Sequence, residues 1–114
     1  MKTLNFSTQL RDFDGSELKV DDGDKKDALF TLKLAVIALI RNAHASEHLS
    51  DADQSRLYAL GCRVGLSDGK PIDLPQEEYD VLKRLCDKPP RMSIVITQQV
   101  KKLVDAATET PNPT

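Results

Sequence analysis

His44-Ala45-Ser46-Glu47-His48 is the segment of this 114-residue chain that comes nearest to a catalytic signature. It matches the inverted zinc-protease pattern HxxEH. On a helix, residues four apart share a face, so both imidazoles could reach one zinc while Glu47 served as general base. The surrounding sequence argues otherwise. The segment falls where an apolar helix should end, just before a capping serine, Ser50. No carboxylate of a well-formed downstream helix offers a third ligand. A chain this short also leaves little material for a cleft outside its own core. The two histidines therefore read as a helix-end pair, and neither a metal nor another cofactor is expected.

Asp12-Phe13-Asp14-Gly15 and Asp21-Asp22-Gly23-Asp24 are acidic, glycine-bearing and suggestive of calcium. An EF-hand loop starting at Asp12 needs glycine at its sixth position and glutamate at its twelfth. Those positions hold Glu17 and Gly23, so both segments read as turns. Cys62 and Cys86 lack any CxxC or CxxH context and read as two buried free thiols of a reducing compartment. No nucleophile–histidine–carboxylate set and no glycine-rich phosphate loop can be argued from the spacing. The expected protein is not an enzyme, and no small-molecule ligand is evident.

Charge is nearly balanced, with 16 basic and 18 acidic residues and a net charge of −2. That excludes a global pull toward nucleic acid or anionic membranes. The charge is uneven, however. Residues 1–55 carry seven basic and ten acidic side chains, and residues 56–103 carry nine basic and six acidic. Arg56, Arg63, Lys83, Arg84, Lys101 and Lys102 form the basic set of a nucleic-acid-binding alternative. A helix-turn-helix is disfavoured, because the connection 65–74 is too long and the next helix opens on Glu77, Glu78 and Asp80, which would repel phosphates.

The elements that would position these residues follow from periodicity. Alternation at Leu4, Phe6 and Thr8, the Asp14-Gly15 turn and renewed alternation at Leu18 and Val20 predict a β-hairpin over 4–20. Apolar residues at helical spacing predict a central helix over 25–44 capped by Asp24. A second helix is expected over 50–64, with Ser50 as N-cap and Asp53 in a capping-box position. A third spans 75–87, begun at Pro75 and ended by Pro89-Pro90. A fourth spans 93–107, and residues 108–114 should be a flexible tail. The expected fold is mainly α (α+β): one domain, residues 1–107, with an N-terminal β-hairpin packed on a four-helix cluster. The longest apolar run, Leu34–Ile40, is far too short for a membrane span, and the opening residues lack the apolar stretch of a secretory signal. A cytoplasmic location is expected.

The central helix is apolar nearly all round. Leu29, Leu32, Val36, Leu39 and Ile40 make one face, while Phe30, Leu34, Ile37 and Ala38 make a second. Either the hairpin covers Phe30, Leu34 and Ile37, or these three form an interface with a protein partner or with a second copy in a homodimer.

In outline the chain resembles small proteins encoded by tailed bacteriophages and prophages. The shared features are the Phe13-Asp14-Gly15 turn, the apolar helix Leu29–Ile40, and a helix carrying Arg56, Tyr58 and Leu60. Asp73, Leu74, Glu77 and Glu78 follow, and then a helix over Val95–Leu103. The outline covers roughly residues 4–104. The resemblance implies a phage accessory or virion-associated protein of the bacterial host cytoplasm; the role expected for this chain is non-enzymatic, by self-association or by binding a host or virion protein. The resemblance carries no catalytic residues.

Overall fold

The computed structural model describes residues 2–22, 25–43, 49–89 and 92–109. Its order is β1 (Lys2–Leu4), β2 (Lys19–Asp22), β3 (Lys25–Leu29), α1 (Leu32–Asn42), α2 (Asp51–Gly65), β4 (Ile72–Leu74), α3 (Gln76–Asp87), α4 (Ile94–Asp105) and β5 (Thr108–Glu109). The class is mainly α with a minor β component, as the periodicity implies. The helices supply most of the core, and Leu4, Phe6 and Leu10 of the N-terminal segment pack into it.

The β pairing differs from expectation. The Asp14-Gly15 turn is present, with Gly15 at φ 84°, but it joins only an isolated bridge between Arg11 and Glu17. The hairpin of the fold lies further on, where β2 pairs antiparallel with β3. β1 instead becomes the centre of a second sheet in the order β4-β1-β5. Lys2 and Thr3 face Leu74 and Asp73 on one side, and Glu109 and Thr108 on the other. Thr108 and Glu109 were expected in the loose tail. They are ordered by this long-range pairing, which no local pattern can announce.

The central helix is correspondingly shorter than 25–44. Residues 25–29 are strand, and α1 begins after Thr31, whose hydroxyl accepts from the Leu34 amide at 3.4 Å. Two further amides of the first turn are satisfied by the N-terminal segment. Leu32 N–H donates to the Thr8 carbonyl at 2.8 Å, and Lys33 N–H to the Phe6 carbonyl at 2.9 Å. A helix start needs partners for its free N–H groups, and a crossing backbone supplies two of them here. Asp24, the expected cap, lies outside the described residues. Phe30, just before the helix, is held by backbone hydrogen bonds on both sides. Its N–H donates to the Leu18 carbonyl and its carbonyl accepts from Leu10 N–H, each at 2.8 Å.

The other helices keep close to their expected limits. Ser50 Oγ accepts from the Asp53 amide at 3.1 Å and caps α2. Leu57, Leu60 and Val64 form its buried stripe. Tyr79, Val81, Leu82, Leu85 and Cys86 are buried along α3, and the Tyr79 hydroxyl donates to the Val104 carbonyl at 2.8 Å, tying α3 to the end of α4. In α4 the buried set is Thr97, Val100 and Val104, while Ile96 and Leu103 are half-buried. No helix among the described residues is long and apolar enough to cross a membrane.

α1 and α2 approach closely because α2 presents glycines to α1. A Cβ placed on Gly61 would lie 3.8 Å from two Ile40 methyl carbons, and one on Gly65 would lie 4.0 Å from Ile37 Cδ1. Both distances are ordinary van der Waals contact. Gly61→Ala is therefore expected to stabilise the fold by about 0.5–1 kcal/mol, the helix-interior cost of glycine. A thermal melt showing a lower midpoint would mean that α1 and α2 cannot accept the methyl group.

Candidate functional site

The described surface has four large, strongly exposed apolar side chains: Phe13 at 85%, Tyr58 at 75%, Leu66 at 87% and Ile94 at 71%. Phe13, Tyr58 and Ile94 line two grooves.

The first groove lies between α1 and α2 and has a volume of about 260 Å³. Ile37, Ile40 and Arg41 come from α1; Tyr58, Gly61, Cys62 and Gly65 come from α2. The glycines add no side chain of their own, so Ile40 and Ile37 of α1 pack against the α2 backbone there. Leu66, next to Gly65 at the end of α2, is exposed beside it. Beyond Asp51, the exposed residues of α2 are Ala52, Ser55, Tyr58, Ala59, Cys62, Arg63 and Gly65. Arg63 is the only charge among them, and its guanidinium is engaged by Glu78. A helix face meant for water normally carries free charges. Arg41, on the groove rim, makes no ion pair among the described residues.

The second groove, also about 260 Å³, runs between the 11–17 turn and α4. Arg11, Phe13, Ile94, Val95 and Lys102 are among its walls. The turn is pinned to α4 by one side chain. Gln99 Oε1 accepts from Arg11 N–H at 2.9 Å, and its amide nitrogen donates to the Arg11 carbonyl. Within the turn, Asp12 N–H donates to the Ser16 carbonyl and Gly15 N–H to the Asp12 carbonyl, both at 2.9 Å. Asp14 accepts from the Ser16 hydroxyl and amide, which together hold its carboxyl below the usual value.

The proposed interface trio is divided by the fold. Phe30 is 7% exposed and belongs to the core, so it is not available to a partner. The reason is its place before the helix, where its backbone is hydrogen-bonded to Leu18 and Leu10. Leu34 and Ile37 are half-buried, and Ile37 alone of the three lines the groove. The residues that sequence reasoning missed are Ile40, Tyr58 and Gly61. Tyr58 sits four residues before Cys62 on the side of α2 opposite the Leu57/Leu60/Val64 stripe, a position that helical spacing alone identifies as outward.

The six basic residues do not form one free patch. Arg56 and Arg84 both bind Asp53, each at 3.0 Å. Arg63 pairs with Glu78 at 3.0 Å, Lys101 with Asp87 at 3.3 Å, and Lys83 with Asp105 at 3.9 Å. Lys102 is the member without an ion pair among the described residues. Asp53 is a hub that the capping-box pattern only half reveals. Its amide is capped by Ser50, while its buried carboxylate takes a two-pronged contact from Arg84.

Among the described residues, no cluster of three or more histidine, cysteine or acidic side chains could hold a metal. His44, Glu47 and His48 lie outside the described residues. The expectation of two buried thiols needs correction. Cys86 is buried, but Cys62 is exposed, because two residues from Leu60 is more than half a turn from the inner stripe. Burial, with the nearby Asp105 and Asp87 carboxylates, pushes the Cys86 thiol up to about 12. A small disulfide reagent at neutral pH is therefore expected to modify one thiol per chain in the native protein, at Cys62, and both after denaturation. Mass spectrometry showing Cys86 labelled first would contradict this packing. No family model, no curated protein and no solved structure matches the chain.

Proposed function

We propose that the chain is a non-enzymatic protein-binding accessory protein, of the kind encoded by tailed phages and prophages, which acts in the cytoplasm by associating with copies of itself through the α1–α2 groove. The observation that carries this reading is the solvent face of α2. It is free of unpaired charge from Ala52 to Gly65 and borders a groove walled by Ile37, Ile40 and Tyr58. Exposed apolar surface of this kind usually serves contact with another molecule.

Magnitudes make the association weak. Burying Tyr58 and Leu66 contributes roughly 1.5–3 kcal/mol each, and the half-buried isoleucines add less. Association costs at least about 4 kcal/mol in lost freedom. A dissociation constant in the roughly millimolar range is the expected result. Sedimentation equilibrium over about 1 µM to 1 mM should show average mass rising with concentration. A strictly monomeric protein across that range would refute self-association. The nucleic-acid alternative is less favoured, because Arg56, Arg63, Lys83, Arg84 and Lys101 already neutralise carboxylates of this chain.

A further inference from the structure

We infer, building on the groove reading, that what enters the α1–α2 groove is the Asp12-Phe13-Asp14 turn of a second copy, so that copies associate head to tail.

Phe13 is 85% exposed although it borders a groove on its own chain, so that neighbouring groove does not hold it. The exposure is built in. The turn is closed by its own backbone hydrogen bonds, Asp12 Oδ1 accepts from Phe13 N–H at 2.8 Å, and Gln99 anchors the turn to α4. A phenyl ring presented on a rigid turn loses little conformational freedom when it docks.

The receiving groove fits this knob in size and charge. A cavity of about 150 Å³ lined by aliphatic side chains accommodates a benzene molecule. The α1–α2 groove, at about 260 Å³, is large enough for the phenylalanine ring with part of its backbone. Phe13 is flanked by two carboxylates, whereas the charge at the groove is Arg41, which has no ion pair among the described residues. Tyr58 adds an aromatic wall, suited to an edge-to-face contact with the incoming ring.

Knob and groove share no residue and lie on different elements. One contact therefore leaves each copy with a free knob or a free groove at its far side. That is a heterologous contact, which extends into a chain or closes into a ring instead of stopping at a two-fold dimer.

Two variants and their mixture test the assignment. Phe13→Ala removes the knob at an exposed position. Gly61→Leu plugs the groove, with a Cβ that meets no clash and a residue that favours the helix. Thermal melts of both should be cooperative, confirming that they fold. In light scattering and sedimentation, each variant alone is expected to associate at least tenfold more weakly than wild type. An equimolar mixture should form a one-to-one heterodimer that grows no further, because the first retains a groove and the second a knob. If Gly61→Leu abolishes association while Phe13→Ala behaves as wild type, the groove reading stands and the Phe13 assignment is overturned. If both variants associate as wild type does, the groove reading falls with it. A mixture that stays monomeric would also overturn the head-to-tail arrangement.

Discussion

Lysine in place of Val36 is expected to abolish cooperative folding, whereas lysine one residue later, in place of Ile37, should leave a folded protein that no longer associates. Val36 is fully buried on the inner face of α1, among the largest enclosed side chains of the core. A lysine there would strand an ammonium group without a partner or with its proton lost. Either state costs several kcal/mol, and the whole stability of a domain is only about 5–15 kcal/mol. Ile37 is half-buried and opens onto the groove. Its replacement can lay the lysine stem across Gly65 and carry the charged end into water, at the cost of packing worth about 1–2 kcal/mol. The lysine stem then fills the space beside Gly65 where the Phe13 ring of a second copy would have to lie. Circular dichroism melts and sedimentation of the two variants separate the outcomes. An unfolded Ile37→Lys protein would place Ile37 in the core instead of at an interface.

The second large effect concerns Asp53. Asp53→Asn is expected to lower the melting midpoint by several degrees at neutral pH. The carboxylate receives Arg84 through two hydrogen bonds of 3.0 and 3.1 Å and Arg56 through one of 3.0 Å. It also sits in the first turn of α2, where negative charge opposes the helix dipole. Arg84 most of all, then Arg56 and Ser50, holds its carboxyl below the ordinary aspartate value, against the opposing effect of burial. A group whose pKa is lowered on folding stabilises above its unfolded pKa, near 3.9, and loses that contribution as pH falls through the folded-state value. The difference between wild type and Asp53→Asn should therefore be constant from about pH 5 to 7 and shrink below about pH 4. A gap that stays the same at pH 3 would show that shape, and not charge, makes Asp53 important.

The helices were legible because their determinants are local. Ser50 with Asp53 and the acidic opening of α3 each act within a turn or two of backbone, so short-range spacing announces them. The scarcity of charge along the outer face of α2 was equally present in the residue order, but the engagement of Arg63 by Glu78 of α3 was not.

What determined the strand pattern was not local. Lys2–Leu4 chooses Ile72–Leu74 and Thr108–Glu109 as partners across most of the chain, and no turn residue records that choice. Residues 25–29 carry an apolar spacing that suits a helix, yet they pair with Lys19–Asp22, while backbone carbonyls of Phe6 and Thr8 set the start of α1 at Leu32, three residues beyond Leu29. The fate of the basic set was decided the same way. Arg84 and Asp53 are 31 residues apart, and Arg63 and Glu78 are 15 apart, so their charges cancel only once α2 and α3 are packed together. The chain's composition and periodicity thus determined its helices and its apolar core. Only tertiary packing decided which apolar residues stayed outside, because exposure is a property of what covers a side chain and not of the side chain itself.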